Sequence, residues 1–411
     1  MSFETIPAQI TLAFSPAASI VALPGGEQYQ RAQTALDQSS FQPRPDGTYV
    51  LPHCDPEAMR AACVDLARIA EGRLTAVTVS PRRYLGDVAD EIAARLPGRW
   101  SASVEVYSHP AWQQDLTLWL WDAGELIHTV RRTRIPYAAV LSEDAHAGAG
   151  VKLLLIERPG PQVGYLVGAL TPHGFGADDR EPLRSVVVPA AWGPQLAARV
   201  ITDQFLPAYY RALHARRIAA VAAALGRIRA EHHSLQLLTE PGASPMDPRD
   251  LRGREEGFAS EAWYEFREVL THGPALLEAC RPEHSAWPED AAALERLRGA
   301  LEQGSMIQAD WVAQVVALRQ TPRWPPGRWP AESYLAAEAR RAETYLTAKA
   351  RRGAQARPVI VTWLADGDTL IRQARTATPP GPRTAPSVPD HSAAAALPAP
   401  QQPPGTTPPR H

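Results

Sequence analysis

The sequence predicts an α+β fold: N-terminal units of sheet plus helix, followed by a mainly helical C-terminal domain and a disordered tail. Three observations lead there. Over the first 190 residues, short runs rich in Val, Ile, Leu and Tyr alternate with helical stretches and are bounded by Pro and Gly. From about residue 258, apolar residues recur at three- and four-residue steps. The final 36 residues, from Thr376, hold 11 prolines and no aromatic side chain, so they cannot assemble a core.

Residues 1–98 form the first predicted unit. Residues 9–14 and 19–23 read as a hairpin around Pro16, and 27–36 as a helix. Pro45-Asp46-Gly47 signals a turn, because Asp-Gly readily takes the positive backbone angles of a tight turn, and a strand follows at 48–51. Asp55 is placed to cap a helix on which Met59, Cys63, Leu66 and Ile69 share a face. A strand at 74–79 and a helix at 83–96 complete the order ββαβαβα, which describes a small sheet with helices on one face. Such an order names no function.

The second unit, 99–235, opens with the alternating strand Ser103-Val104-Glu105-Val106. Trp112, Leu116, Trp119, Leu120, Ala123, Ile127 and Val130 fall on one helical face, so 112–130 is expected to be helical with a bend at Gly124. A strand through Leu116, Leu118 and Leu120 is the competing assignment. Short apolar runs at 137–141, 151–157, 164–170 and 185–188 describe a mainly antiparallel sheet, closed by long helices from Pro194 to about His233.

Residues 239–257 read as a linker by composition. Beyond it, 260–280, 289–303, 306–320 and 332–352 carry helical periodicity. Trp263, Phe266 and Leu270 mark one apolar face, and Ile307, Trp311, Val315 and Leu318 another. A helical bundle over 258–375 follows, closed by a terminal hairpin. Its strands are Val359-Ile360-Val361-Thr362-Trp363-Leu364 and Thr369-Leu370-Ile371, turned at Asp366-Gly367. The tail is 376–411.

Composition limits the functional classes. Forty arginines against two lysines, with 40 prolines and long alanine runs, are the mark of GC-rich bacterial codon usage, so an arginine pair is weak evidence of a site. Random placement gives about four arginine doublets, and the chain has five, at 82–83, 131–132, 216–217, 340–341 and 351–352. The formal charge is −2, without the basic excess that phosphate neutralisation requires; nucleic-acid binding would need folding to gather arginines on one face. Cys54, Cys63 and Cys280 form no CxxC pair, which favours a reducing, cytoplasmic setting. The first basic residue is Arg31, so the apolar stretch at 10–23 lacks a secretory n-region. The apolar helical run at 218–225 is far shorter than the roughly 20 residues of a membrane span.

Most catalytic chemistries lack their pattern. His53-Cys54 near Cys63, and the adjacent His232-His233, do not have zinc-ligand spacing, so neither a metal nor a cofactor is expected. There is no P-loop, and Gly148-Ala149-Gly150 precedes a strand instead of opening a helix. In the loop His173-Gly174-Phe175-Gly176-Ala177-Asp178-Asp179 an imidazole and two carboxylates come together, and His173 with Asp178 or Asp179 is the one candidate acid–base site.

Two interaction surfaces stand out. On the helix over 207–231, Tyr210, Leu213, Val221, Leu225 and Ile228 form a face expected to bury against the preceding sheet. Opposite them Ala212, Ala215, Ala219, Ala223, Gly226 and Ala230 form a small-residue stripe on which a second helix could pair, in a homo-oligomer or with a partner. The near-duplicate Arg323-Trp324-Pro325-Pro326-Gly327-Arg328-Trp329-Pro330 presents Arg323, Trp324, Arg328 and Trp329 in a proline-stiffened loop, and Arg and Trp are enriched at binding hot spots. The expectation is therefore a non-catalytic interaction or accessory protein with a protein partner. An enzyme using His173 and an aspartate, and a nucleic-acid-binding accessory protein, are the alternatives.

Overall fold

The computed structural model describes residues 7–52, 55–122, 124–144, 150–160, 164–176, 183–237, 247–280, 287–320 and 331–377. The α+β architecture holds: two five-stranded sheets with their helices occupy the N-terminal half, and a helical bundle follows.

The first sheet contains β1 (Gln9–Ser15), β2 (Ser19–Gly25), β3 (Gln42–Pro43), β4 (Tyr49–Leu51) and β5 (Ala76–Arg83), in the order β3-β4-β2-β1-β5. Only β5 runs parallel to its neighbour β1. Asp46 shapes the turn before β4 by accepting from the Thr48 backbone N–H at 2.9 Å, and Gly47 takes a φ of +82° that a side chain would strain. Helices α1 (Tyr29–Asp37) and α2 (Pro56–Gly72) cover one face, burying Leu36 and Leu66 against Ile10 and Leu12. Asp55 caps α2, accepting from the Glu57 and Ala58 backbone N–H groups at 2.9 Å.

The second sheet is antiparallel throughout: β6 (Trp100–Val106), β7 (Tyr137–Glu143), β8 (Lys152–Glu157), β9 (Gly164–Ala169) and β10 (Val186–Pro189), ordered β10-β9-β8-β7-β6. Its central strands are buried on both sides, which is why their sequences are near-continuous apolar runs. One face, with Ala139, Leu141, Leu153 and Leu155, packs on α3 (Leu85–Ala93), although the sequence groups α3 with residues 1–98. The opposite face, with Val140, Leu154 and Leu166, packs on α5 (Glu125–Arg132) and on Leu116 of α4 (Trp112–Leu116).

The single helix expected over 112–130 is therefore two short ones. Between them Leu120 bridges to Leu170, and the Trp121 N–H donates to the Ala169 carbonyl at 2.9 Å. Buried Asp122 accepts from the backbone N–H groups of Gly124, Ile127 and Ser185 at 2.8–3.0 Å, which reopens the chain and caps α5.

From Gly193 to Leu237 the chain is one helical rod, about 65 Å long at the usual rise. It comprises α6 (Gly193–Val200), a π-helical turn (Ile201–Phe205) and α7 (Leu206–Leu237). The π turn lies just before Pro207, which has no backbone N–H to continue the ladder. Phe205, Tyr209 and Leu213 pack on the second sheet. Val221, Leu225 and Ile228, expected to face that sheet as well, instead bury in the helical bundle, because the sheet ends before the helix does.

The bundle adds α8 (Pro248–Ala279), α9 (Pro288–Gln320) and α10 (Ala331–Thr376). Three expectations are corrected here. The linker assigned to 239–257 is helical from Pro248 onward, and the helices at 289–303 and 306–320 are one continuous α9. The terminal hairpin is absent: 359–371 lies inside α10. Its β-branched residues favour a strand locally, but Ala356, Val359, Ile360, Trp363, Leu370 and Ala374 are buried at helical spacing, and that burial outweighs the local preference. Gly367 is not a turn residue but a crossing point, since a Cβ there would lie 2.5 Å from Leu225 Cδ1. Its neighbours Asp366 and Asp368 pair with Arg296 at 2.8 Å and Arg229 at 3.2 Å. Residues 378–411 lie outside the described residues. Among those described, no helix is long and apolar enough to cross a membrane.

Candidate functional site

The apolar face that Ile307, Trp311, Val315 and Leu318 mark in the sequence is only half used by the core. Ile307 is buried in the bundle, while Trp311, Val315 and Leu318 form one wall of an open groove of about 640 Å³. Tyr264 of α8 and Glu338, Arg341, Ala342 and Tyr345 of α10 form the others, and Arg319 stands at the α9 end. Trp311 and Tyr345 meet at 5.5 Å between ring centroids, and Arg341 pairs with Glu338 at 3.0 Å.

Below this groove is Arg352, only 4% exposed. Its guanidinium lies 4.1 Å from the Trp311 ring centroid and 5.6 Å from that of Tyr264. Nε and Nη2 are buried without a hydrogen-bond partner. These two atoms form one edge of the guanidinium, the fork that matches the paired oxygens of a carboxylate or phosphate. Sequence reasoning met Arg352 only as half of the 351–352 doublet and did not single out Tyr264 or Tyr345. The usable signal was the Trp311-Val315-Leu318 face, whose partners on two other helices no local pattern reveals.

Arg323, Trp324, Arg328 and Trp329 lie outside the described residues. In the sequence they fall between α9 and α10, the helices that carry most of the groove's lining.

Of the alanine stripe, Ala212 is half-buried against the second sheet's core, whereas Ala215, Ala219, Ala223, Gly226 and Ala230 are exposed. Two arginines flanking it are engaged within the chain: Arg227 with Glu265 at 2.6 Å and Arg229 with Asp368.

His173 is exposed, and Asp178 and Asp179 lie outside the described residues. The loop's other residues have a packing role. Phe175 is buried between Trp121, at 5.7 Å, and His272 of α8, stacked at 4.5 Å. Gly174 takes a φ of +89°, and a Cβ on it would come within 2.5 Å of Thr271 Cγ2. The loop thus plugs the second sheet's core onto the bundle.

A half-buried polar cluster joins the two sheets. Glu157 accepts from the Tyr137 hydroxyl at 2.7 Å and from Arg82 Nη1 at 3.3 Å, and Arg82 also donates to the Arg158 carbonyl at 2.8 Å. Burial pushes the Glu157 carboxyl up, and Tyr137 and Arg82 oppose that only in part.

The arginine doublets are distributed over β5, α5, α7 and α10. Arg82 pairs with Glu157 and Arg83 with Glu91, while burial lowers the Arg217 guanidinium. Among the described residues no group of three His, Cys, Asp or Glu side chains is gathered to hold a metal. Comparison of the chain with protein-family models, with curated proteins and with solved structures returned no match.

Proposed function

We propose that the protein is a non-catalytic interaction protein of the cytoplasm that docks an acidic protein partner on the outer end of the α9/α10 helix pair. The observation that carries this reading is an uncovered apolar stripe beside a local excess of positive charge. Leu335 and Leu346, three helical turns apart on one side of α10, are 65% and 61% exposed. Val312 and Val316 of α9, with Leu270, line a second, shallow apolar groove of about 570 Å³. Residues 308–352 carry eight Lys/Arg against four Asp/Glu, in a chain whose formal charge is −2. The Arg-Trp-Pro segment lies between the same two helices in the sequence and supplies residue types typical of hot spots. The buried Cys280 thiol, outside any disulfide, fits a reducing compartment.

The experiment is affinity capture of the tagged full-length protein from its native lysate, with and without nuclease, beside two variants. One replaces Leu335 and Leu346 with Ser; the other replaces Trp324 and Trp329 with Ala. A stoichiometric acidic protein retained after nuclease, and lost from both variants at unchanged melting temperature, is the expected result. A captured set that both variants retain overturns the docking surface, and one that nuclease removes points to nucleic acid instead.

A further inference from the structure

We infer that the groove above Arg352 is a binding site for a small organic carboxylate with an apolar body. A buried guanidinium is costly unless its charge and its N–H groups are matched, and Arg352 leaves a whole edge unmatched. The carboxylates paired with Arg341 and Arg357, α10 arginines on either side of Arg352 in the chain, are committed to them. Glu338 pairs with Arg341, and Glu255 holds Arg357 through two contacts of 3.0 and 3.2 Å. The partner assigned to this edge is an anion from outside the chain.

The surroundings specify its shape. Trp311 and Tyr264 contact the Arg352 guanidinium and both line the groove, so an anion reaching the Nε/Nη2 edge from the groove passes aromatic rings. The two coplanar oxygens of a carboxylate match the two N–H groups of that edge, and a flat acid needs less room between the rings than a tetrahedral phosphate. Beyond those rings, Tyr345, Val315 and Leu318 offer apolar walls, and about 640 Å³ falls within the roughly 300–1,000 Å³ range of small-molecule sites. Arg319 on the rim, beside the Arg341–Glu338 pair, draws an anion inward. Arg352 Nε and Nη2 are closed to solvent without ligand, so admission requires one ring to tilt. Tyr264 is that ring, being 52% exposed and the more distant of the two from the guanidinium.

The test is calorimetric titration of the full-length protein with 2-naphthoate and, separately, with 2-naphthyl phosphate, together with melting of the unliganded protein. Wild type is expected to bind 2-naphthoate one to one and at least tenfold more tightly than the phosphate. Arg352→Met keeps a flexible apolar stem on Trp311 and removes the unmatched charge, so it should lose at least tenfold in affinity while melting at the same or a higher temperature. Arg352→Lys keeps the charge without the fork and should lose affinity as well. Absence of naphthoate binding, equal or tighter binding of the phosphate, full affinity in Arg352→Lys, or a lower melting temperature in Arg352→Met would each overturn the assignment. This site is independent of the docking reading, since it is probed with a small molecule and with Leu335 and Leu346 intact.

Discussion

Replacing Gly367 with Ala tests whether α10 crosses α7 where the structure puts it. In a helix interior the change is worth about 1 kcal/mol in favour of Ala. Here the new methyl would sit 2.5 Å from Leu225 Cδ1, well inside contact distance, in a packed core where Leu225 is buried. Forcing an extra methyl into such a site costs about 1–3 kcal/mol, so the variant should be destabilised by about 1 kcal/mol net. Leu225→Ala alone should cost about 2–5 kcal/mol through its cavity. The double variant should be less damaged than the two single effects added together, by about 1–2 kcal/mol, because the methyl then fills vacated space. Urea unfolding followed by both tryptophan fluorescence and circular dichroism measures this, provided the two probes give coincident transitions. Trp263 and Trp363, both buried in the bundle, report on the relevant core. Strict additivity would refute the crossing and restore the turn that Asp366-Gly367 suggests in isolation.

Three further outcomes follow from the same structure. Burial raises the Glu157 carboxyl above its unfolded value, so the folded state holds the extra proton; stability is then greatest below the unfolded pKa and falls as pH rises through the folded one. Glu157→Gln should flatten that decline in a melting series from pH 4 to 8, and an unchanged profile would contradict it. Cys280 is buried and its thiol is pushed up to about 11, leaving about one thiolate in a thousand at pH 8; iodoacetamide should spare it in the native protein and modify it in urea, whereas half-buried Cys63 reacts sooner. Ala219→Glu with Ala223→Glu alters exposed side chains only, so helicity should be preserved; if that stripe pairs two copies, light scattering should show a smaller mass, and an unchanged mass removes pairing.

The parts of the fold legible in the sequence are those where one force dominates locally. The strands at 137–141, 151–157 and 164–170 are readable because burial on both sheet faces leaves little but apolar residues, and Pro-Gly punctuation separates the middle strand from the next. The run at 359–364 was misread because Val, Ile and Thr favour extended backbone, while the contacts that make it helical come from α7, α8 and α9. The break at Asp122 was equally hidden, since its cap partner Ser185 is 63 residues away. Of the groove, one wall was visible as the Trp311-Val315-Leu318 periodicity. Arg352 was not, because its significance arises from what three helices bring near it and from what they leave unpaired.

The helix α7 belongs to two cores, with Tyr209 and Leu213 in one and Val221, Leu225 and Ile228 in the other. The frontier between sheet and bundle therefore falls inside a continuous helix, near residues 214–217, and not at any connecting segment. A fragment ending near residue 235 would carry a naked apolar ridge, and one beginning near 239 would lack the side chains that close its interior. Twisting or tilting the bundle must move the sheet with it, because a stiff rod and the Phe175 plug against His272 tie them at separate points. An event at the outer end of α9 and α10 thus has a mechanical route to the N-terminal half of the molecule.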